Sequence, residues 1–261
     1  MMALALSYHE QGAGAPLVIL HGLFGSTRNW SAIAARLATT HHVYALDLRN
    51  HGASPWADSM SYRELADDVA GFIEHHGLGE TVVLGHSMGG KAAMLLALGH
   101  AHLIAALIVV DIAPVRYEQS LSSYVQAMQG LNLSGLSRRD DADEALRDDV
   151  PELGVRMFLL QNLVYKNKQF DWRINLPALA ANMGELADFP TIATARSYDG
   201  KALFLYGARS VYRQPAHDQV VRRLFPRAEI VVIPGAGHWL HVDQPERLTE
   251  EVRRFLDNHS G

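Results

Sequence analysis

The stretch Thr81–Leu98 constrains the fold most strongly, because it passes from one secondary structure to another within a single tight turn. Residues 81–84 (TVVL) have the β-branched, apolar composition of a buried strand, and residues 91–98 (KAAMLLAL) are strong helix formers. Between them, Gly85-His-Ser-Met-Gly89 fits the pattern G-x-S-x-G. A turn this sharp strains its central residue and accepts only small residues two positions to either side. The stretch therefore predicts a strand, a strained turn and a helix, with the hydroxyl of Ser87 exposed at the helix N-terminus.

A glycine-rich turn that contains a serine also arises by chance, so a catalytic interpretation needs further residues. A serine hydroxyl is a poor nucleophile until a base removes its proton and an acid orients that base. His238 is the predicted base because it follows the last apolar strand in the glycine-rich loop Pro234-Gly-Ala-Gly-His-Trp239. His241 is the weaker alternative, since it lies beyond that loop. Most of the other histidines occur in pairs or on helix surfaces, and the paired ones are predicted to be exposed to solvent.

The acid is harder to locate. Its common place in such a chain is the loop after the strand Lys201–Gly207, but residues 208–213 (ARSVYR) contain no carboxylate. Asp111 ends the apolar run Ile104–Asp111, where an unpaired carboxylate would cost several kcal/mol. We therefore predict that Asp111 pairs with His238, the alternative being a side chain that caps the turn after the strand. Asp218 and Asp243 are weaker candidates, because each lies in or beside a predicted helix.

Acyl transfer also requires hydrogen-bond donors for the oxyanion. One predicted donor is the backbone N–H of Met88, directly after the serine, and the other is the N–H of Leu23 in the loop His21-Gly-Leu-Phe-Gly25. Phe24, Met88 and Trp239 are predicted to give the pocket an apolar wall. As core residues they would be equally unsurprising.

Short apolar runs alternate with helical segments along most of the chain, which predicts a mostly parallel sheet with helices on both faces. Ligands bind to such sheets at the carboxyl ends of the strands, where all the residues singled out above lie. The pattern changes to helices without obvious buried strands at Glu118–Met128, Asp141–Asp149, Leu153–Leu163 and Leu176–Leu186. We predict a core domain of residues 1–114 and 191–261, with residues 115–190 inserted as a helical cap after the sixth core strand. The alternative is a helical appendage packed away from the site.

Composition excludes several classes of function. The chain has 23 basic and 28 acidic residues, a net charge of −5 and no long run of one sign, so nucleic acid and anionic membranes are poor partners. It contains no cysteine, which excludes disulfides and thiolate chemistry. We read no secretory signal in the first seven residues and no run long enough to span a bilayer. A cytoplasmic protein, monomeric or homodimeric, is the expectation.

Five motifs together resemble the α/β-hydrolase superfamily over nearly the whole chain: His21-Gly-Leu-Phe-Gly-Ser26, Asp47-Leu-Arg-Asn-His-Gly-Ala-Ser-Pro55, Gly85-His-Ser-Met-Gly-Gly-Lys91, Asp111-Ile-Ala-Pro114 and Gly235-Ala-Gly-His-Trp239. With Trp172-Arg-Ile-Asn-Leu176 in the insertion, the set is most similar to YbfF-type bacterial esterases and their mitochondrial abhydrolase-domain relatives. Members of this group likewise carry an aspartate in the Asp-Ile-Ala-Pro segment. The chain departs from the wider superfamily in lacking an acid after Gly207.

The resemblance implies a serine hydrolase that cleaves carboxylic esters of short to medium acyl chains through an acyl-enzyme, without a cofactor. An acyl-thioesterase, a cofactor-free haloperoxidase or a carbon–carbon bond hydrolase would share the triad. A ligand receptor that keeps the fold but turns over slowly is the alternative from a different class. Serine at position 87 argues against haloalkane dehalogenases and epoxide hydrolases, which need a carboxylate there.

Overall fold

A computed structural model describes residues 3–118, 121–191 and 196–258. The parts of the predicted domains at residues 1–2, 119–120, 192–195 and 259–261 lie outside the described residues. The strands, in chain order, are β1 (Tyr8–Gln11), β2 (Ala15–Leu20), β3 (His41–Leu46), β4 (Thr81–His86), β5 (Ile104–Val110), β6 (Leu163–Lys166), β7 (Gln169–Trp172), β8 (Lys201–Gly207) and β9 (Ala228–Ile233).

One sheet organises the molecule, with strand order β1-β3-β2-β4-β5-β8-β9. Every neighbouring pair in it is parallel except β1 and β3, which are antiparallel. Because parallel strands end at the same edge, the residues after β2, β4, β5, β8 and β9 meet there. The predicted α/β-hydrolase fold with a mostly parallel sheet is confirmed.

The helices, in chain order, are α1 (Ser31–Leu37), α2 (Tyr62–His75), α3 (Met88–Gly99), α4 (Ser122–Gly130), α5 (Arg139–Ala145), α6 (Leu153–Leu160), α7 (Leu176–Ala187), α8 (Pro215–Leu224), α9 (Leu240–Asp243) and α10 (Pro245–Asp257). A capping box begins α2: the Ser61 hydroxyl accepts from the N–H of Glu64, whose carboxylate accepts from the N–H of Ser61. Across the described residues, we find no helix that combines the length and the apolar character needed to cross a membrane.

Alternate residues of the central strands point to opposite faces of the sheet. On β5, Leu107 and Val109 join one hydrophobic cluster, whereas Ile108 and Val110 join the other. All four are fully buried. Continuous apolar runs are thus required on these strands because helices cover both faces.

The insertion follows the fifth strand of the sheet along the chain, so the predicted position after a sixth core strand is wrong. The segment before β1 adds no strand, because its backbone groups bond elsewhere. The N–H of Leu4 donates to Oδ1 of Asp68, and the N–H of Ser7 donates to the hydroxyl of Ser54. The edge strand β1 therefore begins only at Tyr8 and ends at Gln11.

The inserted residues 115–190 contain α4, α5, α6 and α7, together with a two-stranded hairpin of β6 and β7. The helix predicted over Glu118–Met128 begins at Ser122 in the described residues, and the one predicted over Leu153–Leu163 ends at Leu160. The hairpin was missed because its strands are short and mostly exposed, so they lack a buried apolar run. This insertion is thus described at residues 115–118 and 121–190.

Candidate active site

A sharp turn joins β4 to α3 at Ser87, as predicted. Ser87 has φ 51° and ψ −116°, a conformation that L-residues rarely adopt. A Cβ atom at Gly85 would collide with the carbonyl of Gly89, and one at Gly89 would lie 2.6 Å from the carbonyl oxygens of Leu20 and His21. Because both positions are glycine, the backbones of β4, α3 and the end of β2 can approach each other closely. The half-buried side chain of Ser87 stands at the N-terminus of α3.

His238 lies in the loop after β9, and Asp111 directly follows β5. Nδ1 of His238 is 2.7 Å from Oδ2 of Asp111. Because a carboxylate can only accept, Nδ1 is the donor and Nε2 is left as an acceptor. Ser87 and His238 line the same cavity. The structure thus brings the predicted serine, histidine and aspartate together at one edge of the sheet.

Asp111 is completely buried, with φ 55°. Its carboxylate accepts from the N–H of Gly207 at 2.9 Å, from the hydroxyl of Ser210 and from His238. These donors satisfy a group whose unpaired burial would be costly. Ser210 lies in the loop after β8, the same loop in which the sequence lacks an acid. The carboxylate comes from the neighbouring strand, and this loop supplies a hydroxyl donor to it.

His86, the residue before the serine, is buried behind His238. Its Nε2–H donates to the backbone carbonyl of His238 at 3.0 Å, which ties the histidine loop to the end of β4. Burial, followed by the proximity of His238, lowers the pKa of His86 well below its ordinary value, so it acts as a neutral donor.

His241, the alternative base, packs against His86 and stacks on Trp30 at a centroid distance of 4.6 Å. Burial lowers the pKa of His241 to about 4. Its Nδ1 has no hydrogen-bond partner in the part of the chain that is described. His241 therefore belongs to the packed layer behind the site, whereas His238 faces the cavity.

The loop His21–Gly25 is held from two sides through Phe24, which has φ 63°. The N–H of Phe24 donates to Nε2 of His51 at 3.2 Å, and Nδ2 of Asn162 in the insertion donates to the carbonyl of Phe24 at 2.8 Å. Burial lowers the pKa of His51 to about 3, which keeps Nε2 an acceptor. Core and insertion together fix this loop.

The N–H groups of Leu23 and Met88 have no protein acceptor among the described residues. Leu23 lies in the loop after β2, and Met88 is the first residue of α3. Both residues line a cavity that Ser87 also lines. Two free donors therefore lie beside the serine at the predicted positions.

Two cavities meet at Ser87. The larger, of about 200 Å³, we call the aromatic cavity. It is lined by Gly22, Leu23, Phe24, His86, Ser87, Leu121, Tyr124, Val155, Phe158, Leu159, Tyr212, His238 and Trp239. The rings of Phe158 and Trp239 lie 5.4 Å apart, and Tyr212 stacks on His238 at 4.2 Å. The predicted pocket residues Phe24 and Trp239 both belong to this cavity.

The smaller cavity, of about 50 Å³, we call the lysine cavity. It is lined by Leu23, Tyr62, Ser87, Met88, Lys91, Ile112, Tyr117, Leu121, Met183, Leu186, Ala187 and Tyr212. Lys91 is 2% exposed and contributes the charged group. Burial lowers the pKa of Lys91 to about 7.

Sequence reasoning missed Lys91, Ser210, His86 and Asn162 as parts of this region. Lys91 had a usable signal, since it follows Ser87 by one helical turn and so shares its helix face. Ser210 could also have been inferred, because it lies in the loop after Gly207, where an acid was sought. Within residues 3–118, 121–191 and 196–258, no three His, Asp or Glu side chains are grouped to hold a metal ion.

The chain is similar to known proteins over most of its length. Residues 17–251 match the model of the Alpha/beta hydrolase family. The chain is 40% identical to the sn-1-specific diacylglycerol lipase ABHD11 of Mus musculus, over 97% of this chain and 85% of that protein. It is 32% identical to the esterase YbfF of Escherichia coli (strain K12), over 97% of this chain and 98% of that protein.

A solved structure is also similar over nearly the full length of this chain. A marine microorganism esterase superposes with a TM-score of 0.94 at 36% sequence identity, covering 97% of this chain and 100% of that chain. The resemblance inferred from the motifs is confirmed, and it extends over core and insertion alike.

Proposed function

The chain belongs to the alpha/beta hydrolase family and, within it, to the YbfF-type esterases, and from that membership we propose that Ser87, His238 and Asp111 hydrolyse carboxylic esters as nucleophile, base and acid. Ester cleavage by a serine hydrolase is the activity that family and fold support. The preferred substrates are esters of short to medium acyl chains. One observation carries the assignment of roles: His238, held by Asp111 at 2.7 Å, shares a cavity with the strained Ser87.

The first half-reaction forms an acyl-enzyme. Nε2 of His238 takes the proton of the Ser87 hydroxyl while Oγ attacks the ester carbonyl carbon. The N–H groups of Leu23 and Met88 hold the resulting oxyanion. His238 then gives its proton to the leaving alcohol as the carbon–oxygen bond breaks.

The second half-reaction returns the free enzyme. His238 removes a proton from water, which attacks the acyl carbon, and Ser87 leaves with that proton restored. The insertion acts as a cap in this scheme, because Tyr124, Val155 and Phe158 line the cavity beside His238 and limit the entry of bulk water. An acyl-thioester would follow the same steps.

Hydrolysis of p-nitrophenyl acetate, p-nitrophenyl butyrate and matched acyl-thioesters by wild type and Ser87→Ala tests the proposal. We expect the variant to lose at least about ten-thousandfold in kcat. Ser134→Ala, which changes an exposed serine of the insertion, is the matched control and should behave as wild type. The proposed function would be overturned if Ser87→Ala released nitrophenol at the wild-type rate. It would also be overturned if wild type released none. The ester-to-thioester ratio of kcat/KM decides between the two acyl donors.

A further inference from the structure

Lys91 is a buried cation beside the serine. It lies on α3 four residues after Ser87, so the two side chains leave the same face of the helix. Only 2% of Lys91 is exposed, and it lines the lysine cavity with Ser87 and Met88. The ester-cleavage scheme above gives it no role.

The surroundings of Lys91 do not neutralise its charge. Nζ donates to the backbone carbonyls of Ala187 at 3.2 Å and Asp188 at 2.7 Å, at the C-terminal end of α7. The rings of Tyr62 and Tyr117 lie 5.4 and 5.1 Å from Nζ. The carboxylate of Asp188 is directed elsewhere, to Arg116 at 3.2 Å, and is 46% exposed.

An ammonium group has three donors, and two of them are used by these carbonyls. The third has no oxygen or nitrogen acceptor among the described residues, and Lys91 lines the lysine cavity. Burial of the charge lowers the pKa of Lys91, and the nearby carboxylate of Asp188 offsets this only in part. An anionic group that entered the lysine cavity would supply both the missing acceptor and the missing charge.

The positions of the reacting groups decide which part of the substrate enters this cavity. His238 must protonate the leaving alcohol, and it lines the aromatic cavity but not the lysine cavity. The alcohol therefore leaves through the aromatic cavity. Both proposed oxyanion donors, Leu23 and Met88, line the lysine cavity, and Leu23 also lines the aromatic cavity. The acyl chain extends from the ester carbonyl on the side away from the leaving alcohol, and the lysine cavity is the other cavity at Ser87.

We propose that the lysine cavity binds a carboxylate at the far end of a short acyl chain, so that the enzyme acts on monoesters of short dicarboxylic acids. This inference rests on the proposed function, since it assigns the acyl side of the same site. Lys91 is the specificity-determining residue, and Tyr62 and Tyr117 flank the bound carboxylate. The small volume of the cavity favours chains as short as succinyl or glutaryl.

A structural role for Lys91 is the competing explanation, because its bonds to Ala187 and Asp188 tie α3 to the end of α7. The two roles differ in what they do to selectivity. Loss of a tether changes the hydrolysis of all esters alike, whereas loss of a carboxylate partner changes the ratio between an anionic ester and its neutral isostere.

Monoethyl succinate and ethyl isocaproate provide that ratio, because the second has an isopropyl group where the first has a carboxylate. Monoethyl glutarate and its isopropyl-terminated analogue extend the series by one methylene. Ethanol release gives kcat/KM for wild type, Lys91→Met and Lys91→Arg. We expect wild type to prefer one anionic ester by at least about tenfold, Lys91→Met to lose that preference, and Lys91→Arg to retain part of it.

Two outcomes would overturn the inference: a wild type that prefers the neutral ester at both lengths, or an anionic-to-neutral ratio that Lys91→Met leaves unchanged. If Lys91→Met does not fold, inhibition of wild type supplies the test, and succinate or glutarate must compete better than isocaproate. Cleavage of p-nitrophenyl butyrate that depends on Ser87 separates the two proposals. If it persists while the anionic preference is absent, only the inference about Lys91 fails.

Discussion

The two cavities that meet at Ser87 differ in how their walls are held. Directional hydrogen bonds fix the lysine cavity: the hydroxyl of Tyr62 donates to the carbonyl of Leu186 at 2.8 Å, and that of Tyr117 donates to the carbonyl of Tyr212 at 2.8 Å. The outer wall of the aromatic cavity consists of rings and aliphatic side chains, such as Phe158 against Trp239. Apolar contacts of this kind have no preferred direction, so that wall can repack more readily.

This difference predicts unequal selectivity on the two sides of the ester. A site built on buried polar groups discriminates strongly, because a wrong ligand leaves those groups unpaired. An apolar pocket distinguishes ligands by only a few kcal/mol for each methylene. The acyl side should therefore be strict and the alcohol side tolerant.

Asp111→Asn should have the largest effect, because Asp111 lines neither cavity and serves both through His238. We expect kcat to fall by about ten-thousandfold for every ester, since the amide disturbs the tautomer and orientation of His238. Steady-state kinetics over an acyl series and an alcohol series measures this loss. Asp218→Asn, which changes a carboxylate paired with Arg213, is the matched control.

A uniform loss across both series is the critical result for Asp111. Near-normal activity would move the acid to another carboxylate. A loss confined to one series would mean that Asp111 shapes a cavity.

Ser210→Ala should have an intermediate effect on both series. The substitution removes a donor to the same oxygen of Asp111 that accepts from His238. A hydrogen bond to a charged group contributes about 1.5–3 kcal/mol, so we expect kcat to fall by roughly tenfold to a hundredfold with little change in KM. Ser210→Thr retains the hydroxyl and should restore most of kcat. Unchanged kcat in Ser210→Ala would show that Asp111 is positioned without this donor.

Phe158→Ala tests the alcohol side alone. Removal of this ring enlarges the aromatic cavity next to Trp239, so esters of bulky alcohols should gain and ethyl esters should lose, each by about tenfold in kcat/KM. The ranking of acyl chains should not change. Leu153→Ala, on the exposed face of the same helix, is the matched control. A change in acyl ranking would contradict the division of the site into two independent sides.

The residues predicted from the sequence are those whose position follows from chain direction alone. Ser87 and Asp111 come directly after strands, His238 lies in the loop after another strand, and parallel strands end at one edge of the sheet. The glycines around Ser87 revealed the strained turn, because backbone crowding is visible in residue type. The fold was predictable for the same reason.

What could not be predicted depends on contacts between segments distant in the chain. Asn162 reaches Phe24 across the boundary between insertion and core, and Lys91 reaches the end of α7. The sequence shows that a lysine lies in an apolar helix. It does not show which backbone carbonyls surround that lysine in the fold. The β6–β7 hairpin was missed because its exposed strands carry no periodic apolar signal.

The free energy of unfolding should depend on pH over a range that is set by Lys91 in the lysine cavity. Folding lowers the pKa of Lys91 from 10.5 to about 7, so between these values the unfolded chain holds a proton that the folded chain has released. Stability therefore rises with pH in this window. The neighbouring Tyr62 and Tyr117 stay protonated there, because burial raises the pKa of both hydroxyls.

Chemical denaturation of wild type and Lys91→Met from about pH 7 to about pH 9 isolates this contribution, and the difference between them should change by about 1 kcal/mol per pH unit. His86, which lines the aromatic cavity, gives a second pH dependence, because burial lowers its pKa. The stability that neutral His86 contributes is lost as the pH falls below 6.5, where the unfolded chain takes up the proton. Lys91→Met should show the same loss of stability at acid pH as wild type. Parallel stability curves above neutral pH would mean that Lys91 is already compensated in the folded protein, which would remove the physical reason for an anionic acyl group.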